Sequence, residues 1–208
     1  DTLFNLPRLQ GEALQLDSAY VLGDSSETVR IQRLRFYVGA IRLWRAQQLV
    51  YAFPERYYLV DAAVPQSQGL VGQLPEGLVY DRLELLLGVD SSTNAMGVQG
   101  GALDPMNGMY WTWQSGYINF KLEGTHTACP SRGHAFTFHI GGFRGPYCPV
   151  QRLSFGLSPK RNQPLPTLYL DLDSLLDHID FATEHHIMSP SEAAMHFAAY
   201  FPRVFLMP

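Results

Sequence analysis

The chain has 208 residues, 46% of them hydrophobic, with 15 basic and 19 acidic side chains and a formal net charge of −4. That length suits a single domain over 1–208 with a sizeable core; no clustered Lys and Arg offers a nucleic-acid surface, and no apolar run approaches the roughly 18 residues of a membrane span. Charged residues are only 16%, against an ordinary ~25%, while aromatics reach 12%, so stability is expected from aromatic burial and β pairing rather than from ion pairs.

The start, Asp1-Thr2-Leu3, carries neither a charged region nor an apolar stretch, as expected if a signal peptide has been cleaved upstream. Val29 and Ile31, then Leu34, Phe36 and Val38, alternate with polar residues as a half-buried strand does. The phase slips at Arg33, which predicts a bulge. Ile41 and Leu43 continue the pattern past Gly39, and Tyr57–Val60 is a short strand candidate. Val79 to Val89 alternates strongly. Tyr117–Leu122, Ala135–Ile140, Arg152–Phe155 and Thr167–Leu172 complete the set. Gly and Pro punctuate the junctions, as at Pro75-Glu76-Gly77, Asn107-Gly108 and Gly141-Gly142. Leu172–Phe181 reads as a short helix or turn. Ser189-Pro190-Ser191-Glu192 predicts a helix capped by Ser189 that runs to about Tyr200 and stops before Pro202. The fold class expected is mainly β: an antiparallel sandwich or barrel-like domain with a short C-terminal helix.

The two cysteines, Cys129 and Cys148, each precede a proline. Turn-placed cysteines that bracket a strand suit a disulfide in an oxidising compartment; two inert buried thiols are the alternative. Trp111 and Trp113 share one face if their segment is extended; they either pack in a core or wall a site. Of the seven histidines, His134 and His139 are five apart and face opposite sides of a regular strand, so they cannot share a metal. His185 and His186 precede the capped helix, where a loop can present imidazoles to copper or zinc. Asp61, Asp90, Asp104 and Glu123 read as structural carboxylates at strand ends or turns. There is no Gly-x-Ser-x-Gly elbow, P-loop, His-Glu-x-x-His or Cys-x-x-Cys, so the common hydrolase, nucleotide and zinc-peptidase signatures are missing.

Gly101-Ala102-Leu103-Asp104-Pro105, then Asn107-Gly108-Met109-Tyr110-Trp111-Thr112-Trp113-Gln114-Ser115-Gly116-Tyr117, then Lys121-Leu122-Glu123-Gly124, resemble the MbnP family, named for the methanobactin operon. Phe138-His139-Ile140-Gly141-Gly142-Phe143 and His186-Ile187-Met188-Ser189-Pro190 resemble its later blocks. Upstream, Tyr37-Val38, Leu59-Val60-Asp61 and Gly88-Val89-Asp90-Ser91 fit as well. The resemblance spans about residues 4 to 205.

The resemblance implies a protein exported to the periplasm or cell surface and associated with copper. It also implies a partner: a dihaem c-type protein of the MbnH kind, similar to MauG and to bacterial cytochrome c peroxidases, which oxidises a tryptophan to kynurenine. Trp111 and Trp113 are then the candidates for modification. His139 is the first candidate metal ligand, because it lies in a matching block, followed by His186 and His185. His126 and His134 fall in a variable stretch. On this reading the chain is the substrate of an enzyme, not a catalyst. The competing reading is a β-sandwich interaction module whose tryptophans are purely structural.

Overall fold

A computed structural model of the chain describes residues 2–23, 26–113 and 116–207. Strands β1 (Thr2–Leu9), β2 (Glu12–Ala13) and β3 (Ala19–Val21) lead into β4 (Thr28–Arg45), an 18-residue strand that organises the molecule. β5 (Gln48–Ala52), β6 (Tyr57–Asp61), β7 (Gly69–Val71) and β8 (Arg82–Leu87) follow. A short helix, α1 (Ser91–Ala95), and a loop excursion precede β9 (Tyr110–Trp111), β10 (Gly116–His126), β11 (Ala135–Gly141) and β12 (Gln151–Gly156). The chain ends with β13 (Thr167–Asp171), α2 (Leu172–Leu176), β14 (His186–Ile187), α3 (Glu192–Ala198), α4 (Phe201–Val204) and β15 (Phe205–Leu206).

The strands form two sheets. The smaller runs β15-β13-β1-β2, with β7 also on β1; the larger runs β12-β8-β4-β10-β11-β14, with β3, β5 and β6 on β4 and β9 on β10. Leu3, Leu9, Leu168 and Leu170 of the first sheet share one core with Leu34, Phe36, Phe120, Leu122 and Phe138 of the second, and Phe197 and Phe201 of the C-terminal helices join it. The domain is therefore β-rich, as expected. It is not purely antiparallel: β1 with β13, and β11 with β14, run parallel. Each of those pairs joins segments far apart in sequence, so neither is a hairpin.

The slip at Arg33 is real. Glu123 faces Arg33 and Gly124 faces Ile31, so Gln32 is the extra residue of a β-bulge, and the bulge keeps Ile31 and Leu34 on the same buried face. At the C-terminus the helix cap moves. Ser191, not Ser189, accepts the Ala194 N–H at 3.2 Å; the helix stops before Pro202 as expected, at Ala198, and Pro202 lies within the first turn of a separate helix, α4, a position where its missing N–H costs nothing. The expected disulfide is not formed: Cys129 and Cys148 are free thiols. Cys129 is buried in the shared core, while Cys148 is partly exposed with its Sγ 3.5 Å from Ser91 Oγ at the start of α1.

The larger sheet has a second buried face. On β4, β10 and β11 the core takes Leu34, Phe36, Phe120, Leu122, Phe138 and Ile140. Strand alternation sends Arg33, Arg35, Tyr37, Lys121, Glu123, Thr137, His139 and Gly141 to the opposite, outer face. Part of that face lies under the 88–111 excursion: Tyr37, Val89, Leu103, Met109, Trp111, Tyr117 and Ile118 form a separate small apolar cluster there.

Candidate functional site on the outer sheet face

Two cations on the outer face hold the loop that carries the tryptophans. Arg35 pairs with Asp61 (Nε to Oδ2, 2.7 Å) and donates from Nη1 to the Asn107 carbonyl at 2.8 Å. Lys121, opposite Arg35 in register, donates to the Gly108 carbonyl. Burial pushes the Lys121 ammonium below its usual range, and Glu123 opposes the shift. Asp104 caps the short turn before Asn107 by accepting the Met106 N–H at 2.8 Å. This clamp delivers the chain into β9, where Trp111 pairs with Gly116.

Trp111 is 4% exposed. Its six-membered ring rests on Gly141, where an added Cβ would lie 2.8 Å from Cζ3; the position must be glycine for the indole to settle. Gly141 is the next outer-face position after His139 on β11, roughly 6.5–7 Å along the strand. Beside the indole opens a cavity of about 320 Å³ walled by Phe143, Arg144, Tyr147 and Pro190, a size at the small end of ligand sites. The second glycine, Gly142, has φ 131° and sits against Pro190 and the Tyr147 carbonyl.

The extended segment stops at Trp111, so the condition for both tryptophans to share one strand face is not met. Trp113 lies in the turn beyond, 64% exposed, yet its ring remains 5.8 Å from that of Trp111 at an interplanar angle of 45°. Gln114 and Ser115 of the same block lie outside the described residues. The pair therefore has one buried member and one at the surface.

His139 is 7% exposed. Its Nε2 lies 2.6 Å from Glu123 Oε1, and Arg33 Nη1 holds the other carboxylate oxygen at 2.8 Å. The hydrogen bond from His139 keeps the Glu123 carboxyl below its ordinary range, against its burial and with help from Arg33. An ionised carboxylate only accepts, so Nε2 of His139 is the donor in this contact, and in the neutral imidazole that leaves the lone pair on Nδ1. Glu123 was expected at a strand end; it lies inside β10 instead, because that strand continues to His126.

His186 and His185 sit next door. His186 faces Thr137 across the parallel β11–β14 pair, and the His185 carbonyl accepts the Thr137 N–H at 2.9 Å. His186 is exposed and His185 half-buried. His126 is elsewhere, buried in a ring stack on Phe181 at 4.0 Å, and His134 bonds the Cys129 carbonyl through Nδ1 at 2.9 Å.

Among the described residues, no three His, Cys, Asp or Glu side chains converge as a ready-made metal site. The buried side-chain atoms without a hydrogen-bond partner include Nδ1 of His139, Nδ1 of His185 and Nε1 of Trp111, along with others elsewhere such as those of Asn5 and Trp44. Orphaned buried polar atoms are rare in folded proteins and call for a ligand or water. Imidazole nitrogen is a donor that copper accepts, so the residues present fit copper as an incomplete set.

The MbnP family model matches residues 4–191. The chain belongs to the MbnP family. Among solved structures, MbnP from Methylosinus trichosporium superposes with a TM-score of 0.63 at 17% identity, covering 87% of this chain and 78% of that one; at such identity the likeness speaks for the fold alone. Among curated proteins there is no match. No helix of the described residues is long and apolar enough to cross a membrane.

The MbnP blocks noted in the sequence meet on this one face. The tryptophan block rests on Gly141 of His139-Ile140-Gly141-Gly142, and Lys121 and Glu123 reach from the block between them, one to each side. Sequence reasoning named Lys121 and Glu123 as part of the resemblance but gave neither a role at the site. The usable signal was their spacing of two inside a strand, which puts both on the outer face.

Proposed function

We propose that this member of the MbnP family is an exported copper-binding protein, and that a dihaem partner of the MbnH kind completes its site by oxidising Trp111 to kynurenine. The observation that carries the choice of Trp111 over Trp113 is its seat on Gly141, one outer-face position beyond His139. Kynurenine replaces the closed indole with an aromatic amine and a ketone. At Trp111, which rests on Gly141 one outer-face position from His139, those groups would add a donor to the imidazoles, Nδ1 of His139 and of His185 having no protein partner; the described side chains do not assemble a metal site by themselves. Imidazoles with an aromatic amine form a nitrogen-rich set of the kind copper favours. His139 is the first ligand, with His185 and His186 as the candidates for the next. The chain itself performs no catalysis in this scheme.

The test is co-expression with the dihaem partner, peptide mass spectrometry and copper titration followed by electron paramagnetic resonance. The Trp111 peptide should change by a net exchange of one carbon for one oxygen, and Trp111→Phe should abolish the change while Trp113→Phe retains it. His139→Ala should remove the copper signal. An unmodified Trp111 after maturation would sink the oxidation claim, and an intact copper signal in His139→Ala would sink the ligand assignment.

A further inference from the structure

We propose that Glu123 is a positioning residue that makes Nδ1 of His139, rather than the more usual Nε2, the nitrogen that binds the metal; this rests on the copper-binding reading above. The geometry is specific. Glu123 Oε1 lies 2.6 Å from Nε2 of His139, and its second oxygen is occupied by Arg33 at 2.8 Å. Neighbouring strands fix both partners: Glu123 on β10 faces Thr137 of β11, one outer-face position before His139, so the contact is a short diagonal across the ladder. Arg33 faces Glu123 directly from β4, the bulged strand on its other side.

Three consequences follow from that arrangement. First, the carboxylate is held from both flanks, by a guanidinium and an imidazole, so it has no freedom to swing away. Second, in the neutral imidazole it fixes the proton on Nε2, since the carboxylate accepts and cannot donate. Third, Nδ1 is the one ring nitrogen left for a ligand, and it is buried without any protein partner, an arrangement that calls for a ligand or a water. Carboxylates that orient the far nitrogen of a ligating histidine are a general device: they fix the tautomer and raise ligand basicity, and their loss lowers metal affinity by roughly 10–100-fold. Lys121, on the same face and opposite both Arg35 and His139, is turned to the Gly108 carbonyl instead, so it leaves the Glu123–His139 bond undisturbed.

The experiment separates the positioning role from the function. Metal-free protein labelled with ¹⁵N in histidine is examined by long-range proton–nitrogen correlation where the imidazole is neutral, with His139→Ala identifying the His139 signals. Wild type should show the proton on Nε2 and a bare Nδ1. Glu123→Gln should give a mixture of tautomers, since an amide both donates and accepts, and should weaken copper binding by roughly 10–100-fold at unchanged stoichiometry. Arg33→Gln keeps both members of the pair and should shift tautomer and affinity in the same direction by less; it serves if Glu123→Gln does not fold. A wild-type His139 protonated on Nδ1 would overturn the inference outright. A tautomer lock in wild type together with unchanged affinity in Glu123→Gln would overturn the positioning role alone. Matured wild-type protein that shows the lock and takes up no copper would overturn the copper reading, and the inference with it.

Discussion

The indole of Trp111 lies on the backbone of Gly141, close enough that a single methyl group at that glycine would sit 2.8 Å from Cζ3 of the ring and 2.6 Å from the Tyr117 carbonyl. Two sequence blocks some thirty positions apart, one aromatic and one glycine-rich, are thus one packing unit. Gly141→Ala should cost about 1–3 kcal/mol, the usual range for overpacking a filled site, and should tilt the indole away from His139. Urea denaturation measures the first effect and Trp111 modification by the dihaem partner the second. A variant as stable and as readily modified as wild type would show that the contact relaxes freely.

The two tryptophans should separate cleanly in stability. Trp111→Ala empties a buried position and should cost about 3–5 kcal/mol. Trp113→Ala removes a ring that is 64% exposed, so a change within about 0.5 kcal/mol is expected. Equal losses in thermal or urea unfolding would contradict the division into a buried and a surface member.

Arg35 and Lys121 act on one turn, holding the carbonyls of Asn107 and Gly108. Each replacement by alanine should cost on the order of 1–3 kcal/mol, as charged hydrogen bonds do. Because both variants release the same turn, the double variant should lose less than the sum of the two. A double-mutant cycle by urea unfolding reads this directly, and strict additivity would mean that the two cations do not share a task.

Asp90 caps α1, accepting the Thr93 N–H at 2.7 Å, and also takes Ser92, Tyr57 and Arg56. Its burial alone would raise the carboxyl pKa, but those hydrogen bonds outweigh burial and hold it well below the carboxylate range. A carboxyl lowered in the folded state stabilises above its unfolded pKa, about 4, and that stabilisation disappears as pH falls below it. Asp90→Ala should therefore cost about 1 kcal/mol near neutrality, the typical value of a lost cap. The gap from wild type in thermal midpoint should narrow below about pH 4. A gap independent of pH would show that the charge contributes nothing.

Cys148 should react with iodoacetamide in the native protein, because it is partly exposed and unpaired. Cys129, 1% exposed and with its thiol pKa pushed up by burial, should react only on unfolding, since the thiolate is the nucleophile. Peptide mass spectrometry distinguishes the two. Failure of both to react until a reductant is added would mean that a disulfide forms after all.

Much of this molecule was legible in its residues. Period-two alternation located β4 and β8, and even the bulge near Arg33, because one buried face forces that pattern on a strand; β6, β10, β11, β12 and β13 stood out as short runs between turn residues. The resemblance carried by the tryptophan and His-Ile-Gly-Gly blocks, a matter of family and not of periodicity, pointed to Trp111, Trp113 and His139. β1 went unrecognised although Leu3, Asn5, Pro7 and Leu9 alternate toward the interior, because Pro7 argues against a strand when read locally and only the parallel partner β13 overrules it. Spacing could not say that Trp111 is buried and Trp113 exposed, nor that Cys129 and Cys148 stay apart, nor that Glu123 grips His139 between strands sixteen residues apart at the contact. Those depend on how β4, β10, β11 and β14 lie side by side and on the loop folded across their outer face. Such pairings are set by the burial of whole strands against a shared core, a property that no short stretch of the chain contains.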